Sequence, residues 1–426
     1  MIQSPYIEDA LKQHFRVGDS GKWKVDVEKD VDKIAASAAS KAIATPPALV
    51  IKSKLDKSGK TIYFAGDIET DLILRATFKR LCMQCGIKLP NREDIFNGIV
   101  EATSEASPFL VTKCDIKSFY ESLNAEPIVR GLLVDTRTDT NLKAVLKQIY
   151  NAASIDRSVA PRGLALSTVF AEIALRDFDR TIRKTSGVHR YFRYADDMIV
   201  FSLPDAEVIP TIENELGKLG LHLNDKTETC SVAAIGKLKP ANAPLPISNY
   251  TYLGYHIAAH EKVSSYTSRQ FDISISETKL KKRKTRIFLS LHAFMKDGDA
   301  GLLIDRLNYI STNQSIFKTR HTRGSRKQKI RTGIHYNYPR CGHYPASQSG
   351  RVQKEHKAHE LIELDVVLKN ALQGPGSEFA AKIASLPPAT QEHLHAISFA
   401  QGFKKKLMKR YTRARVAQIC KVWGHE

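Results

Sequence analysis

Residues 189–203, HRYFRYADDMIVFSL, place two adjacent acids in the middle of an otherwise apolar and aromatic stretch. Because Tyr, Phe, Met, Ile and Val favour β-strands, the pattern predicts a β-hairpin whose tip holds Asp196 and Asp197. Two like charges side by side are costly unless a cation compensates them. The predicted hairpin tip is therefore a candidate cation site.

A third acid ends another apolar stretch. FLVTKCDIKSFYESL (109–123) begins as a buried strand and turns polar at Asp115. Asp115 lies far upstream of the Asp196-Asp197 pair, so the three acids meet only if their strands are neighbours. Carboxylates clustered at strand ends can hold two Mg²⁺ ions, which activate a 3′-hydroxyl and stabilise leaving pyrophosphate. The alternative is that these acids are ion-paired surface groups of a basic chain.

Composition limits the class of partner. The chain has 426 residues, 42% of them hydrophobic and 26% charged, which predicts two or three globular domains and excludes a fibrous or disordered protein. Its net charge of +20 favours a polyanionic partner. Because no apolar run or basic amphipathic anchor is evident, we expect nucleic acid and no membrane. Six cysteines and no signal-peptide pattern predict a cytoplasmic protein.

Further patterns surround the acids. The predicted elements are a hairpin over 47–66, a helix over 67–85, a single long helix from Ser167 to Lys184, a short strand from Leu221 to Leu223, a second hairpin around YTYLGYHI (250–257) and a basic helix over 279–295. A dense cationic stretch without hydrophobic period covers 317–333, and several helices are expected after it. Runs of Lys and Arg without acids repel themselves, which favours RNA binding over a merely solvated face.

The order of these blocks resembles a known family. Tyr194-Ala195-Asp196-Asp197 resembles the YxDD box of reverse transcriptases. DIKSFY (115–120) resembles the first palm motif and RGLALS (162–167) the second, although the family usually has Gln where Arg162 stands. GLHLNDKT (220–227) is similar to the fourth motif, and YLGY (252–255) to the primer grip. The resemblance covers about a third of the chain.

The resemblance implies an α+β right-hand polymerase with fingers, a palm built on an antiparallel sheet, a thumb and a helical C-terminal extension. The expected regions are an N-terminal helical arm (1–46), fingers and palm (47–248), primer grip and thumb (249–315), and a basic, mostly helical C-terminal region (316–426). The implied activity is RNA-directed DNA synthesis with two Mg²⁺ ions, for which Mn²⁺ could substitute. Asp115, Asp196 and Asp197 would be catalytic, and these three with Ile116 would be the metal ligands.

Other residues take expected roles from the same resemblance. Nucleotide binding is assigned to Tyr120, Arg162, Gly163, Lys226, Lys52 and Lys60, with Tyr120 as the gate that screens the sugar 2′ position. Nucleic-acid binding is assigned to Tyr252, Gly254, Lys282, Arg283, Arg320, Arg323, Arg326 and Lys327. Each has an ordinary alternative: Tyr120 could be a core aromatic, Gly163 a plain turn residue, and any single lysine a solvated surface group.

Finer features suggest a subgroup. Arg162-Gly163-Leu164, Ala171-Glu172-Ile173, Asp177-Phe178-Asp179, GIHYNYP (333–339) and LIELDVVL (361–368) resemble the abortive-infection and "unknown group" reverse transcriptases of bacterial antiphage defence. This implies a noncoding RNA template, dNTP substrates and a DNA product. Template-independent or protein-primed synthesis, a retron- or group II intron-like enzyme, and a catalytically dead RNA-binding scaffold remain alternatives. The sequence does not decide whether a homo-oligomer forms.

Two groups of residues have loose zinc-ligand spacing. Cys82-x-x-Cys85 has no second pair nearby and lies in a predicted helix, so helix packing is the favoured interpretation. Cys341, His343, His356 and His359 form a similarly loose cluster.

Overall fold

A computed structural model describes residues 4–16, 18–56, 58–153, 160–232, 247–260, 268–318, 328–347, 353–355 and 359–424. The chain divides into two compact units. Unit 1 comprises Met1–Ile95, Phe109–Thr229 and Lys318–Gln328, and unit 2 comprises Phe96–Pro108, Cys230–Phe317 and Lys329–Glu426. In the described part of the chain, no helix combines the length and apolar character that a membrane crossing requires.

The helices are α1 (Glu8–Lys12), α2 (Asp19–Trp23), α3 (Val27–Ile43), α4 (Ile68–Gln84), α5 (Arg92–Ser104), α6 (Phe119–Ser122), α7 (Glu126–Val134), α8 (Thr140–Ala153), α9 (Ala165–Ala174), α10 (Arg176–Lys184), α11 (Val208–Gly217), α12 (Glu277–Asp297), α13 (Ala300–Ser311), α14 (His359–Gln373), α15 (Ala380–Ala384), α16 (Pro388–His395), α17 (Phe399–Lys404) and α18 (Arg413–Lys421).

The strands are β1 (Ile51–Leu55), β2 (Thr61–Ala65), β3 (Phe109–Asp115), β4 (Val188–Tyr194), β5 (Asp197–Ser202), β6 (Glu228–Val232), β7 (Ile247–Tyr252), β8 (Tyr255–His260), β9 (Phe271–Ile275), β10 (Asn313–Lys318), β11 (Gln328–Gly333), β12 (Gly342–Tyr344) and β13 (Met408–Lys409). They form sheets in the orders β1-β2, β4-β5-β3-β6, β12-β9-β8-β7 and β11-β10-β13. Helices accompany sheets whose pairings are mainly antiparallel, so the predicted α+β class is confirmed.

The central sheet of unit 1 brings the sequence-distant strands together. β5 pairs with both β3 and β4 in antiparallel registers. Its side chains from Met198 to Ser202 are all buried, which explains the continuous apolar run after the two acids. Helices α4 and α9 pack together in the same unit, and α4 begins where the Asp67 side chain accepts a hydrogen bond from the Thr70 backbone N–H. Buried residues of both helices and of β5 belong to one hydrophobic core.

Most predicted elements are confirmed, including the hairpins at 47–66 and 189–203, the helix at 67–85 and the basic helix at 279–295. The single helix predicted from Ser167 to Lys184 is wrong. It is two helices, α9 and α10, because Leu175 leaves helical geometry at ψ 1° and serves as the end of one and the start of the other. The strand predicted at Leu221–Leu223 is also wrong, since only an isolated bridge from Leu223 to Ile116 forms there.

Unit 2 has its own aromatic core. The ring centroids of Phe96 and Tyr255 lie 4.0 Å apart, and the hydroxyls of Tyr250 and Thr103 are 2.6 Å apart and buried. The Arg269 side chain, also buried, donates to the backbone carbonyls of Glu105, Ser107 and His260. These contacts satisfy a buried guanidinium and fix the segment before β3 to the sheet of unit 2.

Candidate active site

The three acids meet at one end of the central sheet of unit 1. Asp115 is the last residue of β3 and lies directly opposite Asp197, the first residue of β5. Tyr194 closes β4 opposite the same residue, so Ala195 and Asp196 form the turn between the strands. Ala195 has a φ of 57°, a left-handed conformation that permits this tight reversal. The predicted hairpin, with its acids at the tip, is therefore what forms.

Burial and mutual repulsion make the carboxyl groups of Asp196 and Asp197 harder to ionise. Burial raises the pKa of Asp197 to about 6, with further increases from Asp196 and Asp115, while Lys113 offsets part of the shift. Burial also raises the pKa of Asp196, and a hydrogen bond with the Asp115 carboxyl contributes in the same direction. The arrangement therefore disfavours the charged state until a cation is near.

Asn224, directly after the segment Leu221–Leu223 where the predicted strand does not form, holds the Asp115 carboxylate in place. The Asn224 side-chain amide donates to Asp115 Oδ2 over 3.2 Å, and its backbone N–H donates to the Asp115 carbonyl over 2.8 Å. The backbone N–H of Ile116 donates to the Asp196 carbonyl over 3.4 Å. Ile116 itself is buried, so its contribution to a metal site would come from its backbone.

A buried arginine, Arg193, stabilises the turn formed by Ala195 and Asp196. Arg193 is 6% exposed and donates to Asp179 and to both carboxylate oxygens of Glu172 over 2.8–3.0 Å. The same guanidinium donates over 3.0 Å to the carbonyl of Ala195, within the turn. Tyr191 donates its hydroxyl to Asp179 and closes the network. Because these partners come from α9 and α10, the break between the two helices lets both carboxylates reach one guanidinium.

Tyr120 and Gly163, two predicted nucleotide-binding residues, both lie in unit 1. Tyr120 is partly exposed, with its ring centroid 5.1 Å from that of Phe119, and burial raises its pKa although its hydroxyl bonds to Thr168. Gly163 has a φ of 97°, and a Cβ there would lie 2.5 Å from the carbonyl oxygen of Tyr63. Gly163 therefore lies too close to strand β2 to carry a side chain. The Tyr63 backbone N–H, also on β2, donates a hydrogen bond to the Arg162 carbonyl.

The predicted nucleotide-binding cations fall into two groups. Lys60 and Arg162 both contact the carboxylate of Glu121, with N–O distances of 3.3 and 2.8 Å. Lys52 on β1 and Lys226 near Asn224 have exposed side chains. The structure therefore brings Lys60 and Arg162 together around one acid.

The primer-grip residues of unit 2 form a hairpin. Tyr252 and Tyr255 end β7 and begin β8, with Leu253 and Gly254 in left-handed conformations between them. The Tyr252 side chain is buried. Lys282 on α12 is exposed, whereas Arg283 donates to the Ile310 carbonyl over 2.7 Å. The predicted contacts at Arg320, Arg323, Arg326 and Lys327 lie outside the described residues.

Within the described ranges, no group of three or more His, Cys, Asp or Glu side chains is already arranged to hold a metal ion. Cys82 and Cys85 are partly buried at the end of α4, and burial raises the pKa of both thiols. His343 Nδ1 donates a hydrogen bond to the Asp272 carboxylate over 2.8 Å, and His356 lies outside the described residues.

Comparison with known families assigns the domain. Residues 78–257 match the family model described as reverse transcriptase (RNA-dependent DNA polymerase). The site thus lies within a segment of the chain that matches a reverse transcriptase domain. The predicted family is confirmed. Among curated proteins, the comparison found no match.

Two telomerase structures are similar in part. Apo telomerase from Candida tropicalis, truncated of its C-terminal domain, is 14% identical, with 49% of this chain and 53% of that chain covered and a TM-score of 0.32. Telomerase from Candida albicans in complex with a fragment of telomeric RNA is 12% identical, with 95% and 60% covered and a TM-score of 0.31. The chain spans little more than half of each telomerase chain, and the family assignment rests on the sequence match.

The sequence patterns did not indicate the contacts of several site residues. Asn224 lies within the quoted fourth motif, but only the structure shows its amide on Asp115. Glu121 directly follows Tyr120, yet its pairing with two cations distant in sequence left no local signal. Arg193 lies just before the YADD turn, and nothing in the local sequence marks it as the buried support that the structure shows.

Proposed function

We propose that this protein is an RNA-directed DNA polymerase that copies a dedicated noncoding RNA in bacterial antiphage defence. One observation carries the polymerase assignment: Asp115, Asp196 and Asp197 converge at the end of one sheet, inside a segment that matches reverse transcriptases. The raised pKa values of Asp196 and Asp197 are those of groups that await a cation.

The donors at this end of the sheet suit hard divalent cations. Carboxylate oxygens of Asp115, Asp196 and Asp197 and the carbonyl of Ile116 would hold two Mg²⁺ ions, or Mn²⁺ in their place. When bound, the ions supply Lewis acidity for attack by a 3′-hydroxyl and departure of pyrophosphate. Asn224 keeps the Asp115 carboxyl oriented, and Arg193 keeps the turn that carries the other two in place.

The groups around the acids suit a deoxynucleoside triphosphate. Lys60 and Arg162 form a paired cationic group that can take phosphate oxygens, with Lys52 and Lys226 as further exposed cations. Tyr120 presents a partly exposed aromatic ring on the short helix α6, which follows Asp115. A ring at that position would screen a sugar 2′-hydroxyl, which favours dNTPs.

Positive charge in unit 2 supports an RNA partner. Lys282 on α12 and the run Lys404–Lys406 are exposed cations, and the chain as a whole carries +20. We assign nucleic-acid contacts to these lysines, to the Tyr252–Gly254 hairpin and to the cationic stretch 317–333. The defence setting rests on the resemblance at Arg162-Gly163-Leu164 and the downstream blocks.

Domain layout and location complete the proposal. We assign an N-terminal helical arm to 1–46, fingers and palm to 47–248, primer grip and thumb to 249–315, and a basic, mostly helical region with RNA contacts to 316–426. All six cysteines are free thiols, as is usual in the reducing cytoplasm.

The test combines copurification with catalysis. The protein is purified from its native locus, bound nucleic acid is sequenced, and dNTP incorporation with Mg²⁺ is measured for wild type and D196A/D197A. A defined small RNA, with complementary DNA that depends on the acids, supports the proposal. DNA without a complementary source indicates untemplated synthesis, and bound RNA without incorporation indicates a scaffold. Loss of phage resistance in D196A/D197A cells tests the defence role.

A further inference from the structure

Four charged side chains of unit 1 form a closed group, here called the clamp cluster: Asp56, Lys60, Glu121 and Arg162. Glu121 lies at its centre, with one carboxylate oxygen 3.3 Å from Lys60 Nζ and the other 2.8 Å from Arg162 Nη1. Arg162 Nη1 is also 3.6 Å from Asp56 Oδ2. Two cations that could bind phosphate are therefore already occupied by carboxylates.

The backbone fixes both cations in place. The Asp56 side chain accepts the backbone N–H groups of Ser58 and Lys60 over 2.8 and 2.9 Å, which closes the turn between β1 and β2. The Arg162 carbonyl accepts the Tyr63 N–H over 2.7 Å, and Gly163 leaves no room beside Tyr63 for a side chain. Anchored backbones leave only the side-chain tips to move when an anion arrives.

The pairs in the clamp cluster are exposed enough to exchange. The side chains of Lys60, Glu121 and Arg162 are 35%, 32% and 34% exposed. Ion pairs that reach solvent are weak, so a more highly charged anion can replace a single carboxylate. A triphosphate offers several oxygens to a guanidinium and an ammonium at once.

We propose that Glu121 is a place-holder for the triphosphate of the incoming nucleotide. It keeps Lys60 and Arg162 together while the site is empty, and it gives up at least one of them when nucleotide binds. This inference rests on the proposed function, because it identifies the anion with a nucleotide. Its consequence is selectivity: small anions that cannot outcompete Glu121 are kept off the two cations.

The position of Glu121 links this exchange to the acids. Glu121 lies on α6, directly after Tyr120 and six residues beyond Asp115. When the Glu121 carboxylate is released from the two cations, it therefore stays on the same short helix, α6, as Tyr120, the proposed sugar gate. Glu121 is a positioning residue and not a catalytic one, because it is displaced by the substrate rather than bound to it.

Binding of inorganic tripolyphosphate tests the exchange without catalysis. Calorimetry compares full-length wild type with E121Q, which removes the competing charge at constant size. E121Q should bind about three- to tenfold more tightly, as expected when one weak ion pair no longer has to break. E121D, which keeps the charge, should stay within about twofold of wild type. E126Q is the matched control, since Glu126 pairs only with Arg130 on the adjacent helix among the described ion pairs.

Equal or weaker binding by E121Q, an equal gain in E126Q, or no binding by any variant would overturn the inference. Kinetics give a second readout: E121Q should lower KM for dTTP about three- to tenfold with kcat within about twofold. A merely structural role for Glu121 would lower kcat and leave KM unchanged or higher. If wild type incorporates no dNTP, the proposed function fails, while the tripolyphosphate result still decides the role of Glu121.

Discussion

Two aspartates on antiparallel sheets of this protein have opposite environments. At the end of the central sheet of unit 1, burial and two neighbouring carboxylates raise the pKa of Asp197 to about 6. On β9 in unit 2, burial also acts to raise the pKa of Asp272, but hydrogen bonds from His260 and His343 outweigh it and lower the pKa. The charged form of an aspartate is therefore destabilised at Asp197 and stabilised at Asp272.

The difference separates a proposed metal ligand, Asp197, from an acid with a structural role, Asp272. Asp272 has His260 Nε2 at 3.0 Å and His343 Nδ1 at 2.8 Å, all from strands of one sheet. The acids of unit 1 share a small space mainly with one another, at an energetic cost that a bound cation would remove. Repulsion among carboxylates, rather than their number, therefore supports the proposed cation site.

The largest expected effect is on activity, and it distinguishes the acids at the end of the central sheet of unit 1 from Asp272 in unit 2. D115N removes a proposed metal ligand and should lower dNTP incorporation by about 10³-fold, the effect of losing roughly 4 kcal/mol of transition-state stabilisation. D272N changes charge equally in the other sheet and should retain activity within about threefold. Initial rates with saturating Mg²⁺ at 25 °C measure both. A comparable loss of dNTP incorporation in D115N and D272N would contradict the proposed difference between the acids of the two sheets.

Removing the support of the YADD turn should be nearly as damaging. R193Q leaves Asp179 and Glu172 buried without their cation, which should cost about 3–5 kcal/mol of unfolding free energy. R130Q, which removes only an exposed pair with Glu126, should change it by less than about 0.5 kcal/mol. Urea unfolding measures both, and a loss below about 1 kcal/mol in R193Q contradicts the structural role.

The aromatic beside the acids should control the choice of sugar. Y120A should increase ribonucleotide use relative to deoxynucleotide use by roughly tenfold, because a ring under the 2′ position is removed. Y344L is the control in the sheet of Asp272, where Tyr344 stacks on Phe271 at 4.5 Å. Competing dTTP and UTP incorporation measures the ratio. An unchanged ratio in Y120A makes Tyr120 a packing residue only.

The smallest expected effect is in stability without divalent ions. A carboxyl with a raised pKa destabilises the fold as pH rises from about 4 to 6, so D197N should raise Tm at pH 7.5 by roughly 2–4 °C and not at pH 4. A carboxyl with a lowered pKa stabilises above about pH 4, so D272N should lower Tm at pH 7.5. Calorimetry in EDTA measures both Tm values. If the two substitutions shift Tm at pH 7.5 in the same direction, the opposite environments of Asp197 and Asp272 are refuted.

Local patterns predicted the acid-bearing hairpin well. The aromatic and β-branched residues on both sides of Asp196-Asp197 leave a strand–turn–strand as the stable arrangement, and β4 and β5 form it. The family motifs then indicated that β3 lies beside β5, which strand propensity alone could not establish. Local propensity and the order of motifs together therefore fixed the core of the candidate site.

Contacts between sequence-distant side chains were beyond such patterns. The break at Leu175 has no Gly or Pro to mark it, and it separates the two helices whose Glu172 and Asp179 both pair with Arg193. The pairing of Glu121 with Lys60 likewise depends on where the β1–β2 turn lies in space. Tertiary contacts decided both features, so no local rule could have found them.

The central claim is that repelling acids of unit 1 bind divalent cations and that the satisfied acid of unit 2 does not. Electron paramagnetic resonance of free Mn²⁺, titrated with wild type, D196N/D197N and D272N in the presence of dTTP, tests it most directly. The account predicts at least about tenfold weaker Mn²⁺ binding in D196N/D197N, and wild-type binding in D272N. Equal binding by D196N/D197N and wild type would contradict it.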